Sequence, residues 1–107
     1  MINNWCEKLK QYWIQKDISK IISLFDEDVD YYETPFQKVD EIKLVWKDIE
    51  SQNLQSLEYK IIGEKNNTII ANYIMNDNGR IVDMIYEIEL NDKGKCTYFK
   101  QWYMVGE

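Results

Sequence analysis

The chain has 107 residues, 45% of them hydrophobic and 14% aromatic, and this content excludes a disordered chain and fits one folded domain spanning residues 1–107. Thirteen basic and nineteen acidic residues give a formal charge of -6, which repels phosphate backbones and anionic lipids, so no nucleic acid and no membrane is expected as a partner. No apolar run is long enough to span a bilayer, and the polar N-terminus lacks the apolar core of a signal peptide, so a cytoplasmic location is expected.

Three helices are predicted in the first half of the chain. The first runs to about Gln15, because apolar residues recur at steps of three and four, namely Ile2, Trp5, Cys6, Leu9, Tyr12 and Trp13. A second helix follows Asp17 as its N-cap, and its apolar face would consist of Ile18, Ile21, Ile22 and Phe25. A third follows Asp40 as its N-cap, with Ile42, Val45, Trp46 and Ile49 on one face.

The acidic segment FDEDVDYYETPF, residues 25–36, lies between the second and third predicted helices. Pro35 disfavours helix at Thr34, and the alternation along residues 29–33 indicates a short extended piece. In an extended piece Tyr31 and Tyr32 point to opposite sides, so at most one of them can enter a cavity.

Four strands are predicted after Asn53, where the apolar period changes from helical to twofold. Turns are indicated at Asn66-Asn67, at residues 77–79 and at residues 91–94. Three helices followed by four meandering strands predict an α+β fold.

The third predicted strand has apolar residues at both odd and even positions. Ile81 and Ile85 are odd, whereas Ile88 and Leu90 are even, so a β-bulge near residues 86–87 is expected to keep both sets on one side and to bend the strand. Under this interpretation Asp83 points into the interior beside the isoleucines. A carboxylate there must be protonated, paired or hydrogen-bonded.

The chain resembles the SnoaL-like branch of the NTF2-like superfamily in three segments, FDEDVDYYETPF, DEIKLVWKDI and VDMIYEIELNDKGKCTYFKQWYM. The likeness extends from about Trp5 to Met104 and implies a single SnoaL-like domain. The implied fold is a cone-shaped, cystatin-like or NTF2-like one, in which three N-terminal helices pack on a strongly curved, mainly antiparallel sheet of four to six strands. It also implies a homodimer formed through the sheet and a pocket between sheet and helices.

Carried over residue by residue, the resemblance assigns site positions. Asp83 matches an aspartate of the third strand, Tyr32 and Glu33 match an aromatic and an acidic residue at the cavity, and Trp46 matches an aromatic of the third helix. Tyr73 stands where tryptophan is common. Gln101 replaces an acidic residue before Trp102, which weakens a mechanism based on a carboxylate pair, and Met84 replaces a usual glycine, which would narrow the pocket.

Three functions stay open at this point. The first is binding of an apolar or aromatic small molecule, with a predicted contact set of Glu33, Trp46, Ile85, Phe99 and Gln101. The second is a cofactor-free isomerase, cyclase or dehydratase, in which Asp83 is the general base and Tyr32 or Tyr73 polarises a carbonyl oxygen. The third is a dimerising interaction module whose cavity is filled by its own side chains, with Trp102 on the outer face of the sheet.

No cofactor and no metal ion is expected. Histidine is absent, no Cys-x-x-Cys pair occurs, and no glycine-rich phosphate loop is present. Cys6 and Cys96 are predicted to be free buried thiols. Epoxide hydrolases of the superfamily use an Asp-Arg-Asp arrangement, and this activity is not expected because the single arginine, Arg80, falls at a hairpin end.

Overall fold

The computed structural model describes residues 2–106, without the side chains of Ile2 and Asn3. Within that range the chain forms three α-helices, one 3-10 turn and six β-strands. In chain order these are α1 (Ile2–Gln15), α2 (Ile18–Ile22), β1 (Phe25–Thr34), β2 (Gln37–Val39), α3 (Ile42–Lys47), the 3-10 turn (Asp48–Ser51), β3 (Leu54–Lys65), β4 (Thr68–Asp77), β5 (Arg80–Leu90) and β6 (Cys96–Gly106). The helices pack on a curved mixed sheet, so the predicted α+β cone is confirmed.

The helices form where the apolar period predicts them. α1 buries a stripe made of Trp5, Cys6, Leu9 and Trp13, and Asp17 caps α2 by accepting a hydrogen bond from the Lys20 amide. Two details of the prediction are wrong. Phe25 begins β1 and does not extend the helix, and the N-cap of α3 is Glu41, not Asp40, without a side-chain capping bond.

The sheet has the strand order β2-β1-β6-β5-β4-β3. β3 to β6 form the predicted antiparallel meander, whereas β1 pairs with β6 in parallel and β2 extends the sheet beyond β1. Asn66, Asn78 and Gly79 adopt positive φ in the β3–β4 and β4–β5 hairpin turns, as asparagine and glycine allow. The acidic segment is therefore a strand of the sheet, longer than the short extended piece predicted for it.

Bulges curve the sheet, but they do not lie in β5. In β6, Trp102 has no partner, because Ile85 pairs with Tyr103 and Tyr86 pairs with Gln101; in β3, Ile62 is skipped in the same way. β5 alternates without a break and buries its even-numbered residues, which are Val82, Met84, Tyr86, Ile88 and Leu90. The predicted bulge at residues 86–87 of β5 is wrong, and the residues of odd number, Asp83 and Ile85 included, face outward.

The core is built around Phe99 on β6, which is fully buried. Its ring lies 4.7 to 6.4 Å, between centroids, from five aromatic side chains, namely Trp5, Phe25, Tyr31, Trp46 and Tyr86. Aromatic pairs at such distances add about 0.5–1.5 kcal/mol each beyond area burial. This cluster joins α1, β1 and α3 to the inner face of the sheet. No helix within residues 2–106 combines the length and the apolarity that crossing a membrane requires.

Candidate functional site

A cavity of about 190 Å³ lies between the inner face of the sheet and the helices. It is lined by Trp13, Tyr31, Glu33, Val45, Trp46, Asp48, Ile49, Gln52, Met75, Met84, Tyr86, Gln101 and Met104. Cavities for drug-sized ligands are roughly 300–1,000 Å³, whereas an engineered apolar cavity of about 150 Å³ binds benzene. The space therefore matches a molecule of about one ring.

Buried aromatic rings form the inner walls. Trp46 meets Trp13 edge-on with 5.0 Å between ring centroids, and Tyr31 stacks on Phe99 at 4.8 Å. Tyr31, Trp46 and Tyr86 are each about 4% exposed. Because the neighbouring rings fix these side chains, the walls keep their shape when the cavity is empty.

Several polar side chains of the lining are already hydrogen-bonded. The Trp13 indole donates to Gln52 Oε1 at 2.9 Å, and the Gln101 amide donates to the Glu33 carbonyl oxygen at 2.8 Å. The Tyr86 hydroxyl lies 3.2 Å from Met84 Sδ. Among the residues that the structure describes, the buried Trp46 Nε1 has no partner of standard geometry. The inner wall therefore presents mainly rings and sulfur to the cavity.

The Tyr31 phenol is protonated at neutral pH. Burial raises its pKa well above the ordinary value, the Tyr86 phenol and the Glu33 carboxylate raise it further, and the adjacent Trp46 indole lowers it slightly. Glu33 and Asp48 are the charged residues of the lining, and both are acidic. The site thus combines neutral aromatic walls with two carboxylates.

The structure brings together three of the predicted site residues. Glu33, Trp46 and Gln101 all line the cavity. Met84, which replaces the usual glycine of the resemblance, also lines the cavity.

Asp83 does not lie in the cavity, so the prediction of its inward orientation is wrong. It pairs with Ile74 and Val105 on the outer face, accepts a hydrogen bond from the Asn72 amide, and lies 3.5 Å from the Tyr103 hydroxyl. The physical reason is the unbroken alternation of β5, which places the even-numbered side chains inside. A base acting in the cavity would have to be another group.

Tyr32 and Ile85 also lie on the outer face. The Tyr32 ring lies 6.0 Å from that of Tyr98, and Lys100 Nζ lies 4.7 Å from the Tyr32 centroid. Its neighbour Tyr31 is the tyrosine that enters the cone. Ile85 pairs with the exposed Tyr103 and lines no part of the cavity.

Tyr73 and Phe99 point inward but lie in the packed core and do not line the cavity. The Tyr73 hydroxyl donates to the Cys6 carbonyl oxygen at 2.7 Å, and its ring stacks between Trp13 and Tyr59. Both side chains are fully buried. Tyr73 is therefore part of the scaffold, and its hydroxyl is not free to polarise a substrate oxygen.

Sequence reasoning missed several lining residues, among them Tyr31, Asp48, Gln52, Met75 and Met104. Met84 and Tyr86 belong to a run of apolar residues at even positions of β5. This run fits a regular strand without a bulge, so it could have placed both side chains inside. No comparable signal marks Asp48 and Gln52, which follow α3 in an irregular connection.

The two cysteines are free and fully buried, as predicted. Burial is the main cause that raises the pKa of Cys6 to about 11 and raises that of Cys96 further. Within residues 2–106, no three cysteine, aspartate or glutamate side chains come close enough together to hold a metal ion.

No protein-family model matches the chain, and no curated protein matches it. Its fold is shared by solved structures. An NTF2-like protein of unknown function from Burkholderia xenovorans LB400 has a TM-score of 0.77 at 18% identity, over 96% of this chain and 81% of that one. A SnoaL-like protein of unknown function from Burkholderia thailandensis E264 has a TM-score of 0.74 at 10% identity, over 98% and 94%.

An epoxide hydrolase from M. tuberculosis, described as LEH-like, has a TM-score of 0.65 at 13% identity, over 92% of this chain and 79% of that one. These likenesses show the fold and carry no chemistry by themselves. The single arginine, Arg80, is exposed at the start of β5, with its guanidinium beside Gly106. It lines no part of the cavity, so its position adds nothing in favour of epoxide hydrolysis.

Proposed function

We propose that this protein, which has the fold of NTF2-like and SnoaL-like proteins, binds one small aromatic or apolar molecule in the cavity of the cone. The cavity itself supports the proposal: about 190 Å³ of space walled by Trp13, Tyr31, Trp46, Tyr86 and methionines. Apolar surface that leaves water contributes roughly 25 cal/mol per Å², and methionine adapts to ligands of differing shape. The open space also argues against a cavity filled by its own side chains.

The expected affinity is modest. The best very small ligands gain up to about 1.5 kcal/mol per non-hydrogen atom, and this figure falls to about 0.3 kcal/mol for drug-sized ones. A single-ring ligand is accordingly expected to bind with a Kd in the micromolar to millimolar range.

A screen of single-ring compounds by ligand-observed NMR tests the proposal. Met104 lines the cavity and is 54% exposed, so Met104→Trp should close the entrance without disturbing the core. Ile14, which is 45% exposed on α1, gives the control Ile14→Trp. Compounds that bind the wild type should lose binding to Met104→Trp and keep it with Ile14→Trp. Equal binding to both folded variants, or no binding compound at all, would contradict the proposal.

The outer face of the sheet supports a second proposal, that two copies associate through it. This face exposes a group of apolar side chains, namely Ile62, Ile74, Ile81, Trp102, Tyr103 and Val105. Stable interfaces bury about 800 Å² per partner. Sedimentation equilibrium should show a dimer for the wild type and a monomer for Ile74→Lys. A wild type that stays monomeric at about 100 μM would exclude this interface.

Catalysis is not part of the proposal. The sequence-based hypothesis required Asp83 as base and a tyrosine hydroxyl as donor in one cavity. Asp83 and Tyr32 lie outside the cone, and the Tyr73 hydroxyl is bonded to the backbone of α1.

A further inference from the structure

We infer that the ligand of the cavity is a small organic cation, an amine or quaternary ammonium compound of about one ring in size. This inference rests on the proposed function and adds the charge of the ligand. It follows from two features of the same lining: four aromatic rings around a small space, and two carboxylates without a lysine or arginine among them.

Four aromatic side chains border the cavity. Trp13, Tyr31, Trp46 and Tyr86 all border a space of about 190 Å³, so a molecule inside it lies close to several rings at once. The face of an aromatic ring attracts a cation within about 6 Å of the ring centroid, and tryptophan does so most strongly. The attraction increases as the cation leaves water, and the Tyr31, Trp46 and Tyr86 side chains of this site are buried. Groups of rings around one space are the usual protein site for quaternary ammonium ions.

The charge of the lining points the same way. Glu33 and Asp48 contribute two negative charges, and the ion pairs found within residues 2–106 are Lys10–Glu58, Lys20–Asp17 and Lys38–Asp30, which leave both lining acids unpaired. The negative charge of Glu33 is felt inside the cavity, because it contributes to the raised pKa of Tyr31. An anionic ligand would meet repulsion here, and a cation would meet attraction.

Two lysines lie beside the connection after α3: Lys47, which directly precedes Asp48 and is exposed outside the lining, and Lys16. The Lys16 ammonium group is already engaged. It donates hydrogen bonds to the carbonyl oxygens of Glu50 and Gln52 and is not part of the lining. The bonds tie the ammonium group to the backbone after α3. The lining therefore keeps its net negative charge.

Two matched pairs of probes test the inference directly. Choline is a quaternary ammonium ion, and 3,3-dimethylbutan-1-ol is its neutral analogue with carbon in place of nitrogen. Benzylamine is a cation at neutral pH, and benzyl alcohol is its neutral counterpart. Kd values for the full chain are measured by NMR titration at low salt. In each pair the cation should bind at least tenfold more tightly, a difference of 1.4 kcal/mol. Added salt should reduce this ratio, because the lining acids lie partly in solvent.

Variants identify the source of the preference. In the double variant Glu33→Gln, Asp48→Asn, the ratio of the two Kd values should fall to below about threefold, which is less than 0.7 kcal/mol. Glu50→Gln is the control, since Glu50 is an exposed acid two residues from Asp48 and is not part of the lining. It should leave the ratio as in the wild type, and thermal unfolding confirms that each variant is folded.

The outcomes separate the two claims. If the neutral member of both pairs binds as tightly as the cation, the inference is overturned while binding of a small molecule in the cavity stands. If the cations are preferred but the double variant keeps the full ratio, the lining acids are not the cause and the inference is overturned. If no probe of either pair binds, the inference is overturned, and the proposed function fails with it only if the single-ring screen also finds no ligand.

Discussion

Replacing Tyr73 by phenylalanine removes one oxygen atom from the centre of the protein and leaves the ring in place. The hydroxyl donates to the Cys6 carbonyl oxygen at 2.7 Å, a contact between residues 67 positions apart, and the side chain is fully buried. This bond connects β4 to α1. It is therefore a tertiary contact whose loss is measurable.

The expected magnitude follows from the state of the two atoms. A neutral buried hydrogen bond contributes about 1 kcal/mol net, and a buried acceptor that loses its partner raises the cost toward 3 kcal/mol. The Cys6 carbonyl lies within α1, where the helix supplies another donor, so the lower figure applies. Tyr73→Phe should lower the free energy of unfolding by about 1–1.5 kcal/mol. For a chain of this size each 1 kcal/mol corresponds to a decrease in Tm of about 4 °C.

Urea unfolding followed by tryptophan fluorescence measures this change, with an m value equal to that of the wild type. Tyr31→Phe is the matched comparison, because the Tyr31 side chain is about 4% exposed and borders the cavity beside the Trp46 indole, without a bond to the backbone of another element. Removing the Tyr31 hydroxyl should change stability by less than about 0.5 kcal/mol, since no tertiary hydrogen bond to the backbone is lost with it. A neutral Tyr73→Phe together with a strongly destabilising Tyr31→Phe would refute this account of the core.

Three further outcomes are expected. Gly79→Ala should destabilise the folded protein by about 1 kcal/mol, because Gly79 has a φ of +90°. Gly63→Ala should be neutral or slightly stabilising in the same unfolding assay, because the added Cβ would meet nothing closer than 3.8 Å. Cys6 and Cys96 should not react with a thiol reagent such as DTNB until the protein unfolds, and rapid labelling of the native protein would contradict their burial. Stability should decrease as pH rises above about 10, because burial raises the pKa of Tyr86 and the other core tyrosines in the folded state, so the unfolded chain loses these protons first. Absorbance at 295 nm during alkaline titration checks this, and ionisation of all tyrosines in one step near pH 10 in the folded protein would contradict it.

The helices and the meander could be predicted because each has a regular apolar period and a clear turn or cap. β2 could not, since three residues give no measurable period and the strand forms only by pairing with β1. The parallel pairing of β1 with β6 was equally inaccessible, because it joins segments distant in the sequence. Such pairings are tertiary facts with no local signature.

The site was harder to predict than the fold because the outward face of β5 carries two isoleucines beside its acidic residues. Ile81 and Ile85 suggested an inner face of odd residues, yet Ile81 is 43% exposed and the even residues are buried. Hydrophobicity distinguishes the two faces of a strand only when one of them is polar. The resemblance placed Trp46 correctly and Tyr32 wrongly, since the register of β1 points its neighbour Tyr31 into the cone.

The parallel ladder between β1 and β6 also sets an order of events in biosynthesis. Glu33 on β1 and Gln101 on β6 are 68 residues apart, and both line the cavity. β1 must therefore pair with β6 before the cavity is complete. A ribosome adds residues from the N-terminus at about 5–20 per second, so β1 waits several seconds with an unpaired edge until the last strand emerges. A chain stalled before Cys96 would therefore leave this edge of β1 unpaired and open to pairing with another chain.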